Sequence, residues 1–172
     1  MFNIDIFKKS FDFLPLGLRI NNPGCIRYVA KYQWNGQKGS YRGFASFETF
    51  EAGVRAATIL LMGYLYKYRL FKVDEIIERY APYQDGNFPR LYADRIEKIS
   101  GLRKVSNNIK LLKIELPLVI CAIFSVENGS EYTYRTRDKE FCDYIISLID
   151  KYIDEYLNQV VYPSRGLKVS EI

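Results

Sequence analysis

The stretch Leu116 to Gly129, LPLVICAIFSVENG, constrains this chain more than any other. Leu118, Val119, Ile120, Cys121, Ala122, Ile123, Phe124 and Val126 leave almost no polar face. A helix that is apolar all round has to be buried, so the rest of the chain must wrap it. The run is about half of the ~20 apolar residues a bilayer-spanning helix needs, which makes it a core helix and not a membrane span. Pro117 suits the first turn of such a helix, where a missing N–H does no harm. The pattern therefore predicts a helix over 116–127, stopped by Glu127, Asn128 and Gly129. A carboxylate stands at the end of the most buried helix in the chain.

With 172 residues and a hydrophobic fraction of 48%, the chain is long and apolar enough for one domain around one sizeable core. The N-terminus, MFNIDIFKKSFDFLPLGL, has Asp5 and Asp12 within its apolar residues and is not a secretory signal. The expectation is a protein made in the cytoplasm, without membrane insertion, that depends on other machinery if it works outside. The net charge of +5 is consistent with an ordinary basic surface, or with attraction to a polyanion such as bacterial cell wall. Its Lys and Arg are scattered, so a nucleic-acid partner is not expected. Cys25, Cys121 and Cys142 are odd in number and widely spaced, which argues against a disulfide framework. Histidine is absent, so a Ser-His-Asp triad, a Cys-His dyad and any His-ligated metal site are excluded. No cofactor and no metal are expected. Acid–base chemistry, if there is any, falls to Asp, Glu, Lys, Tyr or Cys.

Along the chain, residues 1–16 read as an N-terminal extension or short helix packing through Phe7, Phe11 and Phe13. Residues 17–46 carry turn chemistry in NNPG and WNGQKG. CIRYVAKYQW and YRGFASF read as two short strands, with NGQKG as the hairpin loop. Helical spacing follows at Val54, Ala57, Leu61, Leu65 and Tyr68, with Ser46 or Thr49 as the cap. A second helix carries Val73, Ile76, Ile77 and Tyr80 and ends at Pro82. A third carries Leu91, Ile96 and Ile99 and ends at Gly101. After the apolar helix, Phe141, Ile145, Leu148, Ile149 and Tyr152 form one more stripe, in a segment 130–172 that either completes the core or binds a partner. The expected fold class is α+β, mainly helical, with one small β-hairpin near the N-terminus.

A helix C-terminus carries partial negative charge, and partial burial disfavours an ionised carboxyl group. Both effects raise the pKa of Glu127. A carboxylic acid held protonated near neutrality is what protonates the leaving oxygen of a glycoside. The plainer reading is that Glu127 is simply the first solvated residue after the helix.

A resemblance bears on that choice. RINNPGCIR, WNGQ, GFASFETFEAGVRA, APYQDGNFPRLYADRI and SVENG resemble, in this order, a family of phage-associated and secreted bacterial proteins with a lysozyme-like domain. The similarity covers roughly Leu18 to Gly129. A looser similarity links the parts to peptidoglycan glucosaminidases and lytic transglycosylases, whose catalytic Glu ends an apolar helix. There the acid precedes the turn and the hairpin; here it follows them, which implies a circularly permuted lysozyme-like arrangement. In that arrangement Glu127 must lie against the Asn-Pro-Gly turn. Cys25 stands where the family pattern has Asn, and Phe88-Pro89 where Thr is common.

The resemblance implies a peptidoglycan glycan-strand-cleaving enzyme of muramidase, glucosaminidase or lytic transglycosylase type. It would act in the periplasm or cell wall after delivery by a phage particle or a secretion system. A secreted antibacterial toxin of this kind implies a cognate immunity protein. Glu127 is the candidate catalytic acid. Asn22 either presents its amide to an N-acetyl group or to Glu127, or only shapes its loop. Trp34 and Tyr41 either stack on sugar rings or, for the lone Trp, pack in the core. Tyr80 and Tyr83 flank a groove. Arg55 pairs with an acid near the site or snorkels. Glu48, Glu51 and Asp85 are candidates for a second acid, none singled out by spacing, which favours chemistry needing one acid only. The competing reading is a non-catalytic wall-binding or virion structural protein with the same fold.

Overall fold

The computed structural model describes residues 14–129 and 139–161. A short helix α1 (Leu16–Arg19) leads into a loop and a two-stranded antiparallel hairpin, β1 (Gln37–Tyr41) and β2 (Phe44–Phe47). Five longer helices follow: α2 (Phe50–Tyr66), α3 (Val73–Tyr80), α4 (Pro89–Ser100), α5 (Ile109–Asn128) and α6 (Lys139–Tyr156), the last continued by a wider turn at Leu157–Val161. The fold is mainly helical α+β with a small hairpin near the N-terminus. The extension expected to pack through Phe7, Phe11 and Phe13 lies outside the described residues.

α5 is the central helix. Leu116, Val119, Ile120, Cys121, Ala122, Ile123 and Phe124 are all buried. It packs against α4 on one side and α6 on another, with α1 near its C-terminal end, and α2 covers α6. The stripe Phe141, Ile145, Leu148, Ile149 and Tyr152 is buried, so α6 completes the core. At roughly 1.5–3 kcal/mol per buried side chain, Phe124, Ile120, Ile123 and Ile149 together contribute about as much as a whole domain's net stability. Among the described residues, no helix is long and apolar enough to cross a membrane.

Two expected elements differ. The apolar helix begins at Ile109, not Leu116, capped by the Asn108 side chain on the Lys110 N–H. Pro117 therefore sits inside the helix, buried, rather than in its first turn. The packing of Leu112 and Leu116 outweighs the backbone hydrogen bond that the proline removes. The hairpin turn is Arg42–Gly43, not NGQKG. Both residues have positive φ (50° and 82°), as a two-residue type I′ turn requires, and Tyr41 pairs with Phe44 across it. Residues 27–36 form a loop with one bridge, from Arg27 to Phe44. Thr49 caps α2, Gly101 ends α4 with φ 76°, and Tyr68 lies beyond α2, under the Arg79 guanidinium 3.6 Å from its ring centroid.

Candidate active site

The loop after α1 is built on two asparagines. Asn21, at φ 55°, donates its amide to the carbonyls of Phe47 and Glu48, both at 3.2 Å. Asn22 is wholly buried: its amide donates to the carbonyls of Ile26 (3.0 Å) and Ala45 (2.8 Å), and its Oδ1 accepts from the Ile26 N–H at 2.9 Å. Every group of that side chain is spent on holding the turn to β2. Asn22 is thus a builder of the loop and presents nothing to a substrate or to Glu127, which corrects its assignment as a substrate-binding residue. Gly53 lets α2 approach this turn. A Cβ there would stand 1.8 Å from the Asn21 carbonyl oxygen, so only glycine fits.

The end of α5 meets the turn from the other side. Asn128 is buried, and its amide donates to the Pro23 carbonyl at 2.7 Å and to the Phe124 carbonyl at 3.0 Å. Glu127 therefore lies near the Asn-Pro-Gly turn, and Asn128, expected only among the residues that stop the helix, is the tie between the two motifs.

Glu127 itself is half-buried. The Tyr92 hydroxyl, from α4, donates to its Oε1. The Cys25 thiol, the Arg27 guanidinium and Tyr80 lie close enough to feel its charge. Burial pushes the Glu127 pKa above its ordinary value, while the bond from Tyr92, the nearby Cys25 thiol and the charge of Arg27 pull it back without cancelling the rise. Burial, then the neighbouring carboxylate, pushes Tyr92 and the Cys25 thiol up, so both remain protonated. Cys25 has φ 49°, a conformation in which Asn is far commoner.

The other expected site residues divide. Tyr80 is behind the turn, its hydroxyl donating to the Gly24 carbonyl, and so supports the loop. Tyr83 is exposed at 71% and Phe88 at 67% on the segment that leads into α4, and Leu91 at 60% in its first turn. Trp34 packs against the edge of the core, and Tyr41 is exposed on β1 beside Arg42. Neither is among the groups found at Glu127. Of the second-acid candidates, Glu51 faces α6 and accepts from the Tyr144 hydroxyl, and Glu48 is exposed with its carbonyl held by Asn21. Asp85 pairs with Arg27 at 3.7 Å and so reaches the surroundings of Glu127 through that guanidinium. Arg27 also lies over the Phe44 ring, 5.0 Å from its centroid. Arg55 does pair with an acid, but with Glu155 of α6 through a forked contact, remote in sequence from the turn and α5.

Tyr92 was missed because Leu91 was assigned to the inner face of α4. The inner face instead carries Tyr92, Ala93, Ile96 and Ile99. The spacing 92, 96, 99 was the available signal. Among the described residues, no group of three or more Cys, Asp or Glu is placed to hold a metal ion.

No family model matches the chain. It is 35% identical over 143 residues to "Protein P5" of Pseudoalteromonas phage PM2, a match that takes in 80% of this chain and 87% of that protein. The chain belongs to the family of that phage protein P5.

Proposed function

We propose that this protein cleaves the glycan strand of peptidoglycan in a phage setting, with Glu127 as its general acid. The observation that carries the reading is a half-buried carboxyl group at the C-terminus of the core helix, its pKa raised by burial, seated against the Asn-Pro-Gly turn. In this scheme Glu127 gives its proton to the glycosidic oxygen, and an acid in so apolar a setting holds that proton to higher pH than a solvated one. Exposed Tyr83 and Phe88 offer ring faces for sugars. The nucleophile is the substrate's own hydroxyl or N-acetyl group, or a water activated by Asp85, the candidate acid that Arg27 links to the site. The parts fit a circularly permuted lysozyme-like arrangement. Delivery by a phage particle accords with the phage relative; delivery by a secretion system would carry with it an immunity protein that covers the groove.

The test is a digest of purified peptidoglycan by the wild type and by Glu127→Gln, with products read by mass. The wild type should release muropeptides, and the variant should be at least about 100-fold slower, the usual minimum for a lost general acid. An anhydro end on the product identifies an internal hydroxyl as nucleophile. Equal activity of the two proteins removes Glu127 from the chemistry.

One observation favours a second reading, a non-catalytic wall-binding or virion structural protein. Cys25, which lies close enough to Glu127 to affect its charge, stands where the resembling family has Asn. That reading predicts retention on the wall with no released fragments.

A further inference from the structure

We infer that Tyr92 is the positioning residue of this site: from α4 it clamps Oε1 of Glu127 and thereby leaves Oε2 as the oxygen that gives and takes the proton. The inference rests on the reading of Glu127 as the acid, and the geometry carries it. Tyr92 is mostly enclosed, and its hydroxyl bonds to the carboxyl group 35 residues further along the chain. A protonated carboxyl group has one O–H and one carbonyl oxygen. The oxygen that accepts from a phenol is the carbonyl one, so the transferable proton resides on the other. The bond also stops rotation about the last side-chain torsion, which is otherwise broad and soft. α4 is packed along α5, so the clamp is held by the core and not by a loop.

The groups that face Glu127 are Tyr92 from α4, Tyr80 from α3, and Cys25 and Arg27 from the loop after α1, with Asp85 behind Arg27. Tyr92 donates a hydrogen bond to it, and Cys25 lies near enough to influence its titration. Both favour the carboxylate, so removing either moves titration of Glu127 upward in pH. A thiol is the weaker donor, so Cys25 has the smaller share.

The experiment compares wild type, Tyr92→Phe and Cys25→Ala by carbon NMR of protein labelled at Glu carboxyl carbons, with the Glu127 signal assigned by its loss in Glu127→Gln. Tyr92→Phe keeps the ring and its packing and removes only the oxygen. The expected result is an upward shift of Glu127 titration in Tyr92→Phe and a smaller upward shift in Cys25→Ala. In the peptidoglycan digest, kcat of Tyr92→Phe should fall about tenfold or more with KM little changed, and the alkaline limb of its pH profile should move up. An unmoved Glu127 titration in folded Tyr92→Phe overturns the inference, as does a shift in Cys25→Ala larger than that in Tyr92→Phe. The NMR titration needs no turnover. A wild type without activity therefore overturns the proposed function, while the titration still decides whether Tyr92 holds the carboxyl group.

Discussion

At the scale of residues, the decisive atoms are those of one carboxyl group and of the Tyr92 hydroxyl that donates to it. Glu127 has a pKa above its ordinary value of 4.5 because burial outweighs Tyr92, Cys25 and Arg27. The folded state then holds this proton more tightly than the unfolded chain does. Stability conferred by the protonated form is present at low pH and is lost as pH rises from about the ordinary value through the folded one. Glu127→Gln, whose amide oxygen still accepts from Tyr92, lacks this loss. The expected outcome is a Tm of the variant that gains on the wild type as pH is raised from 4 to 7, measured by thermal melts in a buffer series. A constant difference would place Glu127 in solvent instead. The place of Glu127 at the end of the buried helix was legible in the sequence, because an apolar run ending in Glu-Asn-Gly is a local pattern. The role of Asn22 was not, because an amide that shapes a loop and an amide that binds a sugar look alike until burial is known.

At the scale of elements, the contact between α2 and α6 carries a specific polar lock. Arg55 Nε lies 3.0 Å and 3.2 Å from the two oxygens of Glu155, and Nη2 adds a bond of 2.5 Å. Both side chains are largely withdrawn from water, at 18% and 25% exposure. Arg55→Ala strands a half-buried carboxylate and should cost about 1–3 kcal/mol. Arg55→Ala with Glu155→Ala should cost less than the sum of the single changes, which urea denaturation of the four proteins will show. The sequence left open whether Arg55 pairs with an acid and with which one. That partner is 100 residues away, and no local pattern can name it. The hairpin fails for a different reason. Asn35-Gly36 is the stronger turn signal by composition, yet Arg42-Gly43 forms the turn, because its register sets Ala45 and Phe47 into the core.

At the scale of the whole molecule, one hydrophobic cluster joins the hairpin, α2, α3, α4, α5 and α6. Ile149 of α6 is fully buried in it. Ile149→Ala should cost about 2–5 kcal/mol and lower the urea midpoint of the entire protein in a single transition, including the signal of Trp34 at the other end of the chain. A separate early transition confined to α6 would contradict one shared core. The sequence by itself determined the helices, most of their caps, the buried nature of the 116–127 run and the acid at its end, because these follow from periodicity, turn chemistry and hydropathy within a few residues. Tertiary structure alone decided that α5 starts a further two turns upstream and runs through a proline, that Tyr92 holds Glu127, that Asn128 ties α5 to the Asn-Pro-Gly turn, and that Arg55 meets Glu155. Each of these depends on the packing of segments far apart in the chain. Packing energy of several kcal/mol overrides local preferences worth about one.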